Sequence, residues 1–154
     1  MYLRYLWRVY GSSKKSLKMT IEKIVLESFS KQGFMKHLGA KIVSIDEGLV
    51  KVSCTKSDNL TQQNGFFHAG VITTIADAAC GYAALTTMPI GSDVLSVEFK
   101  TNLMKPAISE NLIAIGKVIK SGRTLVFCEA KIMDEKEETI FATFQGTMIC
   151  KQPT

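Results

Sequence analysis

Residues that build metal sites and cross-links are scarce in this chain. Its 154 residues include only two histidines, and its four cysteines, Cys54, Cys80, Cys128 and Cys150, lie far apart with no CxxC pair. Zinc centres draw on paired ligands at short spacing, so no metal and no cofactor are expected. The cysteines read instead as reduced thiols in or near the core of an intracellular protein. No apolar run approaches the length of a membrane span, which argues against stable insertion in a bilayer. No internal repeat or interdomain linker interrupts the sequence, and the length is that of one domain able to bury a core. A hydrophobic content of 46% with 21% charged residues fits a globular fold.

Acidic residues are absent from positions 1–18, which carry Arg4, Arg8, Lys14, Lys15 and Lys18. Those five account for the whole net charge of +5, because residues 19–154 hold 14 basic against 14 acidic side chains. A neutral body without a basic patch makes nucleic acid an unsuitable partner. Residues 1–18 read as a basic leader, disordered or transit-like, ahead of a domain spanning 19–154. A cytoplasmic location follows, or an organellar one if the leader is a transit-like segment.

What is present has clear periodicity. "TIEKIVLESFSK" places Ile21, Ile24, Val25 and Phe29 on one helical face, with Thr20 as a cap and Gly33 as the stop. "AKIVSIDEGLVKVSCT" alternates about Glu47-Gly48, as a hairpin does. Residues 68–87, "HAGVITTIADAACGYAALTT", are too long for a strand and small on nearly every face, which suits a helix buried among other elements. Strands are expected near 94–103, 111–119, 124–133 and 139–150, with turns at 120–123 and 134–138 joining the last three. The plan is α+β: one curved antiparallel sheet wrapped around a long central helix.

Inside that helix stands Asp77, between Ala76 and Ala78. A buried carboxylate is costly and usually has a shifted pKa or a chemical task. At the start of the helix, Ala69 and Gly70 leave their backbone N–H groups open to an incoming group, at the positive end of the helix dipole. His68 is placed to orient a group there or to donate a hydrogen bond. Gly70 and Asp77 are about 10 Å apart along a helix axis, too far to act on one carbonyl. Two such helices packed antiparallel about a two-fold axis would bring Asp77 of one chain near Gly70 of the other.

"QQNGFFHAGVITTIADAACGYAA", "SVEFKTNLMKPA" and "KSGRTLVFCEA" together resemble the PaaI-type branch of the hot-dog-fold acyl-CoA thioesterases, over roughly residues 20–150. The resemblance implies hydrolysis of an acyl-CoA to free acid and CoA by a homodimer or a dimer of dimers, without a cofactor. It makes Asp77 the general base or nucleophile. Ala69 stands where the family has the first glycine of its His-Gly-Gly motif, and keeps the N–H that polarises the thioester carbonyl. His68 and Gly70 fill the other two places. Ser96 matches a position that helps place the attacking water. Gln62 stands where relatives often have asparagine, with a similar amide on a longer side chain. For CoA, the resemblance points to Lys120, Gly122 and Arg123 as a ledge, with Lys105 as a further basic contact. Phe66, Phe67 and the helix at 20–31 are candidates for an acyl pocket. Two other functions fit the same fold: an acyl-CoA sensor without turnover, and an acyl dehydratase or hydratase. Retention of Asp77 argues against the sensor, and the nine-residue step from His68 to Asp77 against the dehydratase.

Overall fold

The central helix expected at 68–87 is the element around which everything else is arranged. The computed structural model describes residues 14–151. In chain order it has α1 (Lys14–Ser30), α2 (Gly33–His37), β1 (Lys41–Asp46), β2 (Leu49–Thr55) and a single 3-10 turn. Then come the central helix α3 (Ala69–Leu85), β3 (Asp93–Leu103), β4 (Asn111–Ser121), β5 (Leu125–Asp134) and β6 (Ile140–Lys151). The six strands form one antiparallel sheet in the order β1-β2-β4-β5-β6-β3. This is the α+β hot-dog arrangement, a curved sheet around a long helix.

Period-two alternation builds the inner wall. Val50, Val52 and Cys54 of β2, Leu112 and Ala114 of β4, and Val126, Cys128, Ala130 and Ile132 of β5 all point inward and are buried. Against them α3 buries Val71, Ile72, Ile75, Ala76, Ala79, Cys80, Ala83 and Ala84. All four cysteines are buried, and Cys54, Cys80 and Cys128 are free thiols.

Two glycines are required by geometry. Gly116 of β4 lies under α3, where a Cβ would come within 2.3 Å of the Ala79 carbonyl carbon. The helix backbone therefore rests on the strand with no side chain between them. Gly48 takes a φ of 69° at the β1–β2 turn, a conformation that favours glycine. Its N–H donates to Thr86 Oγ1 at 2.7 Å, and Thr86 Oγ1 donates in turn to the Ala83 carbonyl at 2.6 Å. The hairpin is thereby pinned to the C-terminal end of α3.

Several local expectations are corrected. Thr20 is not a cap: it lies inside α1, whose described residues are Lys14–Ser30, and its Oγ1 donates to the Ser16 carbonyl. Lysine, leucine and methionine at 14–19 are good helix formers, so nothing stops the helix at Thr20. Lys18, read as part of the leader, forms a 2.8 Å ion pair with Asp46 of β1. The rest of that leader, residues 1–13, lies outside the described residues. Gly33 does not end α1 but opens α2, because Gln32 before it is extended. Lys120 and Ser121 belong to β4, so the β4–β5 turn is confined to Gly122–Thr124. Among the described residues no helix is long and apolar enough to cross a membrane.

Replacing Gly116 by alanine forces α3 off the sheet or bends β4. The expected loss is about 1–3 kcal/mol, read as a lower urea midpoint; an unchanged midpoint would show that the helix does not depend on this contact.

Candidate active site

One stripe of α3 escapes burial. Gly70 is exposed, and Thr73, Thr74, Asp77 and Gly81 are partly exposed, all within one helical face. Asp77 is the acid on this stripe. Its Oδ1 accepts a 2.7 Å hydrogen bond from Ser96 Oγ on β3. The β3–β6 register slips between Ser96 and Glu98, and such a bulge re-aims the neighbouring side chain. Met148 Sδ of β6 lies 3.4 Å from the same serine oxygen. Burial pushes the Asp77 carboxyl above the usual carboxylate range, and the Ser96 hydrogen bond draws it partly back.

A cavity of about 260 Å³ opens beside Asp77 and Ser96. Thr74, Ala78 and Gly81 of α3 form its floor, and Phe34 and Met35 of α2 one side. Ser28, from the helix expected to line an acyl pocket, also lines it, with two polar residues that the sequence reading missed, Gln32 and Tyr82. Tyr82 was the available signal, as the one large polar side chain in a helix otherwise made of small and aliphatic residues.

His68 is the N-cap of α3, and its Nδ1 accepts the Gly70 N–H at 2.9 Å. That bond holds the imidazole against the backbone through Nδ1 and leaves the other ring nitrogen, Nε2, without a partner among the described residues. The Gly70 N–H becomes available to a ligand only when the ring turns away. The N–H of Ala69, first residue of the helix, has no acceptor among the described residues. Val71 and Ile72 donate to the His68 carbonyl.

Ala69 opens onto a second cavity of about 400 Å³, shared with Gln62, Phe66, Phe67, Met104 and Lys105. Here Gln62 is tied into its own loop: its Oε1 accepts the Asn64 N–H, and its backbone N–H donates to the Phe66 carbonyl at 2.9 Å. Phe67 belongs to the buried core, whereas Phe66 is half-buried at the cavity wall. Lys120, Gly122 and Arg123 are exposed about the β4–β5 turn and line neither cavity. One chain thus gathers Asp77 with Ser96 at one place, and Ala69 with Gln62 and Lys105 at another.

The sequence model of the thioesterase superfamily matches residues 64–141. The chain belongs to the thioesterase superfamily. Within it, a thioesterase family protein from Silicibacter pomeroyi is 38% identical, with a TM-score of 0.81 over 85% of this chain and 98% of that one. The PaaI protein from the phenylacetic acid degradation operon of E. coli shares the fold, at a TM-score of 0.81 and 20% identity over 90% of this chain and 98% of its own. Acyl-coenzyme A thioesterase 13 of Homo sapiens is 25% identical over 135 residues, 86% of this chain and 95% of that protein. These likenesses give the chain the hot-dog fold of the thioesterase superfamily. The segment matched to the superfamily holds every sequence-derived site residue except Gln62, which precedes it.

The raised Asp77 carboxyl has a consequence for stability. The folded state holds that proton more tightly than the unfolded chain, whose aspartate titrates near about 3.9. The carboxyl's contribution is therefore fully present below that value and is lost as pH rises through the higher folded pKa. Asp77→Asn removes the cost of ionisation. It is expected to raise the thermal midpoint at neutral pH, with the gain shrinking towards acid pH. A gain that is independent of pH would contradict the burial of this charge.

Proposed function

We propose that the chain is an acyl-CoA thioesterase, releasing free acid and CoA, and that it acts as a homodimer with two composite sites. The observation that carries this reading is Asp77: an acid on the open stripe of a buried helix, held by Ser96 in a cavity. Its raised pKa makes the ionised carboxylate a better base than an ordinary aspartate.

In the proposed reaction a water, or Asp77 itself, attacks the thioester carbonyl. In the water route, Asp77 takes a proton as the new C–O bond forms. It returns that proton to the departing CoA sulfur as the C–S bond breaks. Ser96 fixes the carboxylate and aids placement of the water. The developing oxyanion needs a donor that is not already engaged. The Ala69 N–H fits that role, and Gly70 joins it once His68 rotates.

Asp77 and Ala69 of one chain lie too far apart along α3 to share a carbonyl, so the donor must come from a second copy. Strand β3 supports this. It is the sheet's edge, its outer hydrogen-bonding side is open, and Val97, Phe99 and Leu103 are 55%, 48% and 55% exposed. An edge of this length and character is a template for strand pairing. Antiparallel pairing of two β3 strands sets the Asp93–Ser96 end of one beside the Lys100–Leu103 end of the other. Asp77 then faces the partner's Ala69, with Gln62 and Lys105 from the same side. Lys105, Lys120, Gly122 and Arg123 are the contacts we assign to CoA, whose phosphates the three cations suit. An exposed apolar row on the outer sheet face, Leu95, Leu125 and Phe127, offers a surface for two dimers to associate.

Thiol release from a panel of acyl-CoAs tests the reading. Asp77→Asn is expected to lower turnover about 10²–10⁴-fold. Acyl-CoA binding without hydrolysis by the wild type would replace the enzyme with a sensor. Ala69→Pro is a cleaner probe of the donor. Proline suits the first position of a helix, and His68 before it is already extended at ψ 141°, so α3 is kept while one N–H is removed. The expected cost is about 10²–10³ in kcat. Co-expression of the two variants regenerates one intact site in each mixed dimer, so activity is expected to return. Failure to complement would place both groups in the same chain.

A further inference from the structure

Resting on the thioesterase reading above, we infer that the buried sulfur of Met148 is a positioning group for Asp77: it takes the Ser96 hydroxyl hydrogen when the carboxyl loses its negative charge. That hydroxyl has a single hydrogen and two acceptors within reach, Asp77 Oδ1 at 2.7 Å and Met148 Sδ at 3.4 Å. It can serve only one of them fully at a time. While Asp77 is ionised the carboxylate wins, because a charge-assisted hydrogen bond is about twice as strong as a neutral one.

Strand register puts the sulfur where it is. Met148 of β6 stands directly opposite Ser96 in the β3–β6 ladder, at the last pair before the register slips. Its other ladder partner is Val126 of β5, and both side chains are wholly buried. Ser96 itself is exposed, so its hydroxyl sits between the solvent side of the cavity and the core. A water on the open side must be recruited and ordered before it can accept. The sulfur, fixed in the core, is already in place.

The need for a second acceptor arises at the proton-transfer step. If the proton from the attacking water lands on Asp77 Oδ2, Oδ1 becomes a neutral carbonyl oxygen and a weaker acceptor. If it lands on Oδ1, the Ser96 oxygen becomes the acceptor and its own hydrogen must point elsewhere. Either way Met148 Sδ is the remaining partner for that hydrogen, and no covalent bond changes at the serine or the sulfur. The protonated carboxyl is stabilised while the ionised one keeps its bond to Ser96. Other ionisable groups about Asp77 are Asp93 and Tyr82 in the cavity, Cys80 on the same helix, and Cys150 of β6 opposite Val94. Among the described residues no lysine, arginine or histidine lines the cavity. In the proposed dimer the partner's Lys105 joins these groups, and all of them stay unchanged in the variants below.

Met148→Leu removes the acceptor at nearly constant volume, so the fold is kept. The ionised carboxylate retains Ser96, the protonated form loses a partner, and the Asp77 pKa therefore falls. Carbon NMR of the Asp77 carboxyl, assigned by comparison with Asp77→Asn, is expected to titrate about half a unit lower in Met148→Leu. The weaker base is expected to lower kcat by up to about threefold. Ser96→Ala alone raises the midpoint, and in that background Met148→Leu is expected to have no further effect. A midpoint unchanged or raised in Met148→Leu, or the same shift without Ser96, would overturn the inference. So would lost activity with an unchanged titration, which is an effect of packing alone. If the wild type hydrolyses no thioester, the thioesterase reading fails by itself, and the carboxyl titration still decides the role of Met148.

Discussion

Backbone contact between α3 and β4 is the constraint on which the rest of the molecule depends. At Gly116 the helix lies directly on the sheet, closer than any side chain would permit. That approach explains the composition of α3, whose sheet-facing positions are filled by Ala76, Ala79, Cys80, Ala83 and Ala84. It also sets the orientation of the helix. Asp77 is two residues from Ala79, about 200° around the axis at 3.6 residues per turn. Seating Ala79 on β4 therefore turns Asp77 away from the hydrocarbon and towards β3 and α2. A larger residue at 116 would lift the helix and change the 2.7 Å relation of Asp77 to Ser96 along with the core.

Position alone leaves Asp77 in a compromise. It is covered enough for its charge to be disfavoured, yet it receives a hydrogen bond that favours the charged form. The two influences oppose each other, which keeps a carboxylate available while making it more basic than one in water. The N-terminal end of α3 shows a similar restraint. Of its first N–H groups, Gly70's is satisfied by His68 and Ala69's is not. A helix end closed by its own side chain is stable but chemically idle. Leaving one donor open at the wall of a cavity gives up part of that stabilisation for a place where negative charge can settle.

Much of this was legible in the sequence, for identifiable reasons. Strand alternation and the long run of small residues are local signals, and each strand and α3 lies within two residues of where periodicity placed it. Ser96 was named through resemblance, as a residue that places water; its hydrogen bond to Asp77 was not legible, since 19 residues and a strand bulge separate them. Local cues failed where context overrode them. Thr20 has the chemistry of a cap but follows residues that are themselves helix formers, and Gly33 has the chemistry of a stop but opens α2. The strand order was not legible either, because β3 pairs with β6, the last strand, and no short turn joins the two. Of the Ser28–Gln32–Tyr82 cluster, only the helix carrying Ser28 was expected near a pocket; Ser28 and Gln32 lie 54 and 50 residues from Tyr82, and no local signal joins the three.

The edge strand ties stability to chemistry. β3 spans 11 residues with large apolar side chains pointing to both faces, an arrangement that is unfavourable for an isolated chain in water. Shortening it or adding charge would remove the hazard, but Ser96 must then lose its scaffold, because the strand that exposes Val97 and Phe99 also carries the serine against Asp77. In the proposed dimer the same hydrogen-bonding edge that protects β3 also delivers the partner's Ala69 and Lys105 to the Asp77 cavity. Burial of Asp77 would deepen on pairing, since the open stripe of α3 then faces a second chain instead of solvent. Assembly would thus raise the basicity of the carboxylate and supply the oxyanion donor in one step. A lone chain would have neither in full, so the proposed dimer would couple catalysis to association.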